Sequence, residues 1–389
     1  MAESPEVEAA GPLLGLRVIE LGGIGPAPFA AMLLSDLGAE VVRIDRPTTS
    51  APEDTSHDLL LRGRRSAVVD LQRAEGVEAI LEMVAGADVL IEGFRPGVME
   101  RLGLGPTSCQ ERNPRLIYGR MTGWGQDGPW AHMAGHDINY TGLAGALHPL
   151  GRRGEAPSVP INLLGDFAGG SLYLVVGILA ALWERSRSGR GQVIDAAIVD
   201  GAASLTTMLH GLLAGGSWLD ERGVNLLDTG RPFYDVYETS DGGWMAVGPL
   251  ESRFFKEFVR LLGLPDDLPS RFDPEAWPTL RSRIAEVFAS RSRDEWEALF
   301  AGTDACVAPV LALKEAPEHP HLAARATFVE VDGVRQPGPA PRFDRTPGAV
   351  QRPPARRGQH TRVVLEEWGV SNVDGLISSK AAVQHGAET

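Results

Sequence analysis

Residues 16–47, LRVIELGGIGPAPFAAMLLSDLGAEVVRIDRP, decide the fold. Leu16-Arg17-Val18-Ile19-Glu20-Leu21 is short, apolar and β-branched, so it reads as a buried strand. Gly22-Gly23-Ile24-Gly25 turns the chain, and Pro26 and Pro28 stand where the first turn of a helix tolerates proline. Apolar residues recur at helical spacing over 29–37, and Gly38 stops the helix. Val41-Val42-Arg43-Ile44 is a second strand, which completes one βαβ unit. Outward from it, 66–71 and 89–91 read as further strands with a helix over 76–85 between them. Such alternation predicts an α/β fold with a parallel sheet covered on both faces.

Residues 162–200 continue with a glycine-rich start, a helix and a strand over 192–197. The helix over 171–185 is apolar nearly all round and is expected to be buried. After about residue 215 the pattern changes: 233–238 and 244–248 form a β-hairpin, and amphipathic helices follow over 252–262 and 277–290. The expected division is a large domain of 1–215 with 330–389, and a small α+β domain of 216–329. From Val334 the chain is rich in proline and arginine, and its last dozen residues are expected to fray.

Of 389 residues, 43% are hydrophobic, which allows a sizeable core and excludes a disordered chain. The longest apolar run, 172–183, falls short of the roughly 20 residues needed to cross a bilayer. Residues 1–10 are acidic and small, unlike a secretory signal, and Gly386-Ala387-Glu388-Thr389 is no retention or peroxisomal address. A cytoplasmic protein with no membrane partner is expected. Cys109 and Cys306 lie in no metal-binding or disulfide spacing, so no metal site is expected. A formal charge of −14 disfavours nucleic acid as a partner, yet leaves room for a local arginine cluster on a small polyanion.

Gly23-x-Gly25-x-x-Pro28, with Asp45 some way beyond it, invites a dinucleotide-binding reading. Proline at the third position lacks an amide for pyrophosphate, and Asp45 runs directly into Arg46-Pro47. A tight crossover turn is the better reading.

Residues 15–20 and 37–42 resemble the opening of the family III CoA-transferases, and Ile91-Glu92-Gly93-Phe94-Arg95-Pro96-Gly97 with Arg101-Leu102-Gly103-Leu104 looks like the next signature block. Within that superfamily, Arg43-Ile44-Asp45-Arg46-Pro47, Thr122-Gly123-Trp124-Gly125-Gln126 and Gly135-His136-Asp137-Ile138-Asn139-Tyr140 are similar to the α-methylacyl-CoA racemases. Gly165-Asp166-Phe167-Ala168-Gly169-Gly170 and 304–310 continue the match, which runs over about 11–345. The resemblance implies a Rossmann-like large domain, a small domain and an interlocked homodimer whose active site joins one chain's large domain to its partner's small domain. It implies an acyl-CoA substrate and no cofactor.

Inverting a carbon beside a thioester removes a proton from one face and returns one to the other, through an enolate. His136 lies in a glycine-flanked loop that presents side chains; alone it reads more readily as a structural histidine. The resemblance assigns it the S-face proton and assigns Asp166 the R-face proton. Asp166 alone reads as the N-cap of the helix after it, whose free amides could meet the enolate oxygen. Glu251 matches the family's histidine-orienting glutamate, acting across the dimer. Asp137 either binds substrate or holds the loop, and Gly135 and Tyr140 line the same block. For the coenzyme's phosphates, Arg46, Arg95 and Arg101 fall on or beside family contact positions, and Arg62 heads a cluster with Arg64 and Arg65. Gln72 stands where the family commonly has lysine, with Arg73 beside it. Two rivals remain: a CoA-transferase with Asp166 as nucleophile, and a non-catalytic CoA-thioester binder.

Overall fold

The computed structural model describes residues 10–47, 55–265 and 268–385; the acidic start and the C-terminal tetrapeptide discussed above lie outside them, Ala10 excepted. The chain packs as two compact units. The first runs to Ala144, resumes over Ile161–Leu205 and again from His321; the second is Gly145–Pro160 with Thr206–Pro320.

The first unit is built on a seven-stranded sheet. Six parallel strands, β1 (Arg17–Leu21), β2 (Glu40–Asp45), β3 (Arg65–Val69), β4 (Val89–Glu92), β5 (Ile117–Thr122) and β6 (Val193–Ala197), lie in the order 3-2-1-4-5-6. The order reverses between β1 and β4, and in such sheets the crevice at the strands' carboxyl ends is where ligands bind. Alternate residues of β1 serve opposite faces. Ile19 and Leu21 pack with α2 (Ala74–Ala85) and the C-terminal helices Thr361–Glu367 and Val373–Ser378. Val18 packs with α1 (Pro26–Asp36). Helix α1 starts at Pro26 after Gly25, whose φ of 71° only glycine adopts without strain.

Three expectations change. The helix over 171–185 is α4 (Tyr173–Ser188), and it is buried on one face only. Leu174, Val175, Ile178 and Ala181 pack beside β5 and β6, whereas Val176 and Trp183 are 63% and 68% exposed. Apolar periodicity all round says that a helix avoids water, not which surface covers it. Residues Leu163–Leu172 wind as a wide π-type helix continuous with α4. The joined helix, Leu163–Ser188, is long and apolar enough to cross a membrane by length and composition, contrary to the shorter run read from sequence; its inner face packs on the sheet. Within the stretch expected to fray, Ala382–Val383 pairs antiparallel with β3, Ala382 opposite Val69.

In the second unit, Asp235–Glu238, Trp244–Val247 and Val307–Pro309 form an antiparallel sheet. Helices Ser252–Leu262, Trp277–Phe288 and Arg293–Phe300 cover it through Phe258, Ile284, Phe288, Trp296 and Phe300. Residues 145–160 belong here rather than to the large domain. Arg222 donates to the carbonyls of His148 and Glu155, and Arg152 pairs with Asp235 at 2.8 Å.

Candidate active site

The wide helix Leu163–Leu172 is set deep by glycine. A Cβ on Gly201 would stand 1.8 Å from the Gly169 carbonyl oxygen, so this helix and α5 (Ile198–Leu205) touch backbone to backbone. Single π-type turns recur at functional sites. Ser171 Oγ lies 2.8 Å from the Pro26 carbonyl and 2.9 Å from that of Asp166, and Phe167 stacks on Phe29 at 4.4 Å. The carboxyl of Asp166 therefore sits against the turn after β1: a Cβ on Gly25 would lie 3.3 Å from Asp166 Oδ2.

His136, exposed, precedes α3 (Asp137–Leu143), and its N–H donates to Asn139 Oδ1 at 3.0 Å. Tyr140 fills the space left by two glycines; a Cβ on Gly123 or Gly135 would come within 2.1 or 2.7 Å of its ring. Its edge meets Trp124 at 4.7 Å. Gly135 and Tyr140 thus shape the loop by packing. Asp137 is buried, and its Oδ2 accepts the Asp166 N–H at 2.7 Å.

Burial raises the Asp166 carboxyl above the usual carboxylate range, and the Asp137 charge adds to this; a hydrogen bond from Asn162 and the His136 charge oppose it. Burial, then the Asp166 charge, raises the Tyr140 hydroxyl, while Arg95 lowers it. Asp166 is thus within electrostatic reach of His136, Asp137 and Tyr140, and Tyr140 of Arg95. The structure corrects one detail. Asp166 is no N-cap: Asn162 holds that place, and the Asp166 and Phe167 amides are taken by Asp137 and the Asn162 carbonyl. Those two amides are not free for an enolate oxygen.

The arginines divide. Arg62 is 3% exposed and spends its guanidinium on Asp36 at 2.6 Å, Gln336 at 2.9 Å and the Pro337 carbonyl. It cannot also serve a phosphate, and the expectation that it binds substrate is withdrawn. Arg64 is buried on Glu20, and Arg65 pairs with Glu40 and Glu367. Arg46, Arg95 and Arg101 remain exposed, Arg46 over the Phe94 ring at 5.2 Å. Arg46 also lines a cavity of about 300 Å³ with Gly22, Gly23, Arg43, Asp45 and Arg357. Asp45 accepts from Arg43 at 2.9 Å and from Ser66 at 2.8 Å, so it is not offered to a ribose. Arg73 donates to the Ser379 carbonyl.

Glu251, in the second unit, is the exposed N-cap residue of helix Ser252–Leu262. Arg271 holds its turn, donating to the Pro249 carbonyl at 3.1 Å and lying over the Phe233 and Phe255 rings. No cluster of three or more metal-ligating side chains occurs among the described residues.

The sequence pattern of CoA-transferase family III matches residues 13–361. The chain belongs to that family. It is 48% identical over 371 residues to the alpha-methylacyl-CoA racemase of Mus musculus, covering 94% of this chain and 95% of that protein. It is 46% identical over 379 residues to the alpha-methylacyl-CoA racemase of Homo sapiens, covering 94% and 98%. The crystal structure of a CAIB/BAIF family protein from Brucella suis superposes with a TM-score of 0.80 at 27% identity, covering 92% of this chain and all of that one.

In this family III member, sequence reasoning missed Asn162, Ser171 and Arg271. Ser171 and Arg271 carry no spacing signal, because the Pro26 and Pro249 carbonyls they meet are brought near by folding. The polar residue opening the glycine-rich block, Asn162, was the one visible cue.

Proposed function

We propose that the chain interconverts the R and S configurations at C2 of 2-methylacyl-CoA thioesters by 1,1-proton transfer. Neutral His136 takes the S-face proton, the C–H electron pair moves into the thioester carbonyl, and the Asp166 O–H supplies a proton on the R face. The products are the inverted thioester, an imidazolium and a carboxylate; the reverse reaction starts from that pair. The observation that carries this reading is half-buried Asp166 against the Gly25 turn after β1, where the strand order reverses, its carboxyl raised by burial and His136 within electrostatic reach. A group that must both hold and release a proton needs such an environment.

Arg46, Arg95 and Arg101 take the coenzyme's phosphates, beside the cavity at Gly22 and Gly23. Glu251 orients the imidazole of a partner chain in an interlocked homodimer; the apolar outer face of α4, with Val176 and Trp183, supports a chain-to-chain contact.

The test is incubation with an (S)-2-methylacyl-CoA in heavy water. C2 deuteration with loss of configuration, and no acceptor acid needed, supports racemisation. Transfer of CoA to a free acid without C2 exchange would instead make Asp166 a nucleophile.

A further inference from the structure

Asp137 is 5% exposed, and only one of its carboxylate oxygens is satisfied. Oδ2 accepts the Asp166 N–H, whereas Oδ1 is buried with no hydrogen-bond partner among the described residues. Burying half a carboxylate without a donor is costly. A neutral asparagine or serine would accept the same N–H without that cost, so holding the helix is not a sufficient reason for a carboxylate here. What the carboxylate adds is negative charge beside Asp166. Gly165 admits it: a Cβ there would stand 2.5 Å from Asp137 Oδ2.

We propose that Asp137 is a positioning residue for the proton transfer, one that fixes the Asp166 backbone and uses its charge to make Asp166 retain a proton until C2 takes it. The inference rests on the proton-transfer reading above. The groups facing Asp166 are Asp137, His136 and Tyr140 from α3 and its lead-in, and Asn162 from its own helix, with Arg95 facing Tyr140. Burial is the first cause of the raised Asp166 carboxyl and the Asp137 charge the second, so the geometry and the electrostatics agree.

A two-base racemase works when the His136–Asp166 pair holds one proton. Neutral imidazole with carboxylic acid, and imidazolium with carboxylate, contain the same number of protons. Their ratio is independent of pH, so both reaction directions share one bell-shaped profile whose limbs belong to the pair. Removing a neighbouring negative charge weakens the hold on both protons. Both limbs then move to lower pH, in both directions.

Asp137→Asn separates the two roles, since it keeps an acceptor for the Asp166 N–H and removes the charge. The full chain, labelled with carbon-13 at aspartate Cγ, is titrated by NMR without substrate, and the Asp166 signal is assigned by its loss in Asp166→Asn. The Asp166 midpoint is expected at lower pH in Asp137→Asn than in the parent, and the kcat/KM bell displaced the same way in both directions. Asp137→Ala, which removes the acceptor too, is expected to lose about 10²-fold in kcat, the size of effect a 1 Å misplacement produces. If Asp137→Asn does not fold, Asp137→Ser must move the midpoint in the same sense. An unmoved midpoint, or a bell displaced to higher pH, overturns the proposal. The titration needs no turnover, so a parent protein that fails to racemise sinks the proton-transfer reading and leaves the midpoint result standing.

Discussion

Replacing Gly165 by alanine sets stability and activity apart. A new Cβ would lie 2.5 Å from Asp137 Oδ2, 2.7 Å from its Cγ and 3.0 Å from Thr141 Cγ2. The carboxylate is the movable partner, and it must retreat by roughly 1 Å to reach ordinary contact. That retreat breaks the 2.7 Å bond from the Asp166 N–H. Losing a hydrogen bond to a charged acceptor costs about 1.5–3 kcal/mol. Glycine-to-alanine at a compatible backbone returns about 0.4–1 kcal/mol by restricting the unfolded chain. The net loss is about 1–2 kcal/mol, which lowers Tm by about 1–4 °C in a chain of this size. Catalysis suffers more, because Asp166 loses the contact that aims it; kcat is expected to fall by about 10²-fold, or about 2.7 kcal/mol. The assay is deuterium incorporation at C2 of a 2-methylacyl-CoA, run beside a thermal melt. Gly165→Ala with kcat within twofold of the parent would refute the claim that this contact aims the acid.

Asp166→Asn is expected to cut racemisation by about 10²–10⁴-fold while still exchanging the S-face proton through His136, read as deuteration without inversion. Arg46→Ala is expected to raise KM about 10-fold or more with little change in kcat, the loss of a charge-assisted phosphate contact. Arg62→Ala should do the opposite. It strands buried Asp36 and costs about 3–5 kcal/mol of stability, seen as a lower Tm, with KM unchanged in the protein that remains folded. Burial is the largest cause raising the Glu92 carboxyl from 4.5 to about 7. Between those two pH values the folded chain holds a proton that the unfolded chain has released, so this stabilising contribution is lost as pH rises through the window. Melts of Glu92→Gln from pH 4.5 to 7 should lack that part of the parent's decline.

Five of the seven strands were legible as short apolar runs, a pattern that needs no knowledge of neighbours; Ile117–Thr122 and Ala382–Val383 were not read. Helix Ser252–Leu262 was read to the residue, since its apolar stripe and following Gly263 mark both face and end. Helix Arg293–Phe300 was overlooked despite the Ser292–Glu295 capping box that opens it. His136 and Asp166 were visible as a histidine and an aspartate in glycine-rich blocks. Their proximity was not, because it depends on the π-type winding of Leu163–Leu172 and on backbone contact with α5. Arg62 misled for the mirror reason: an arginine in sequence looks the same whether it faces solvent or closes on Asp36.

The strand Ala382–Val383 is only two residues long, yet it occupies the rim of β3, and Val383 accepts a bond from Thr361 Oγ1 at 2.7 Å. A chain stopped before Ala381 would free the Asp70 N–H that now donates to the Ala381 carbonyl, whereas the Ser66 and Val68 N–H groups would keep His360 and Thr361. The helix start at His360 and Thr361, more than the two-residue strand, is what guards this edge against pairing with another chain.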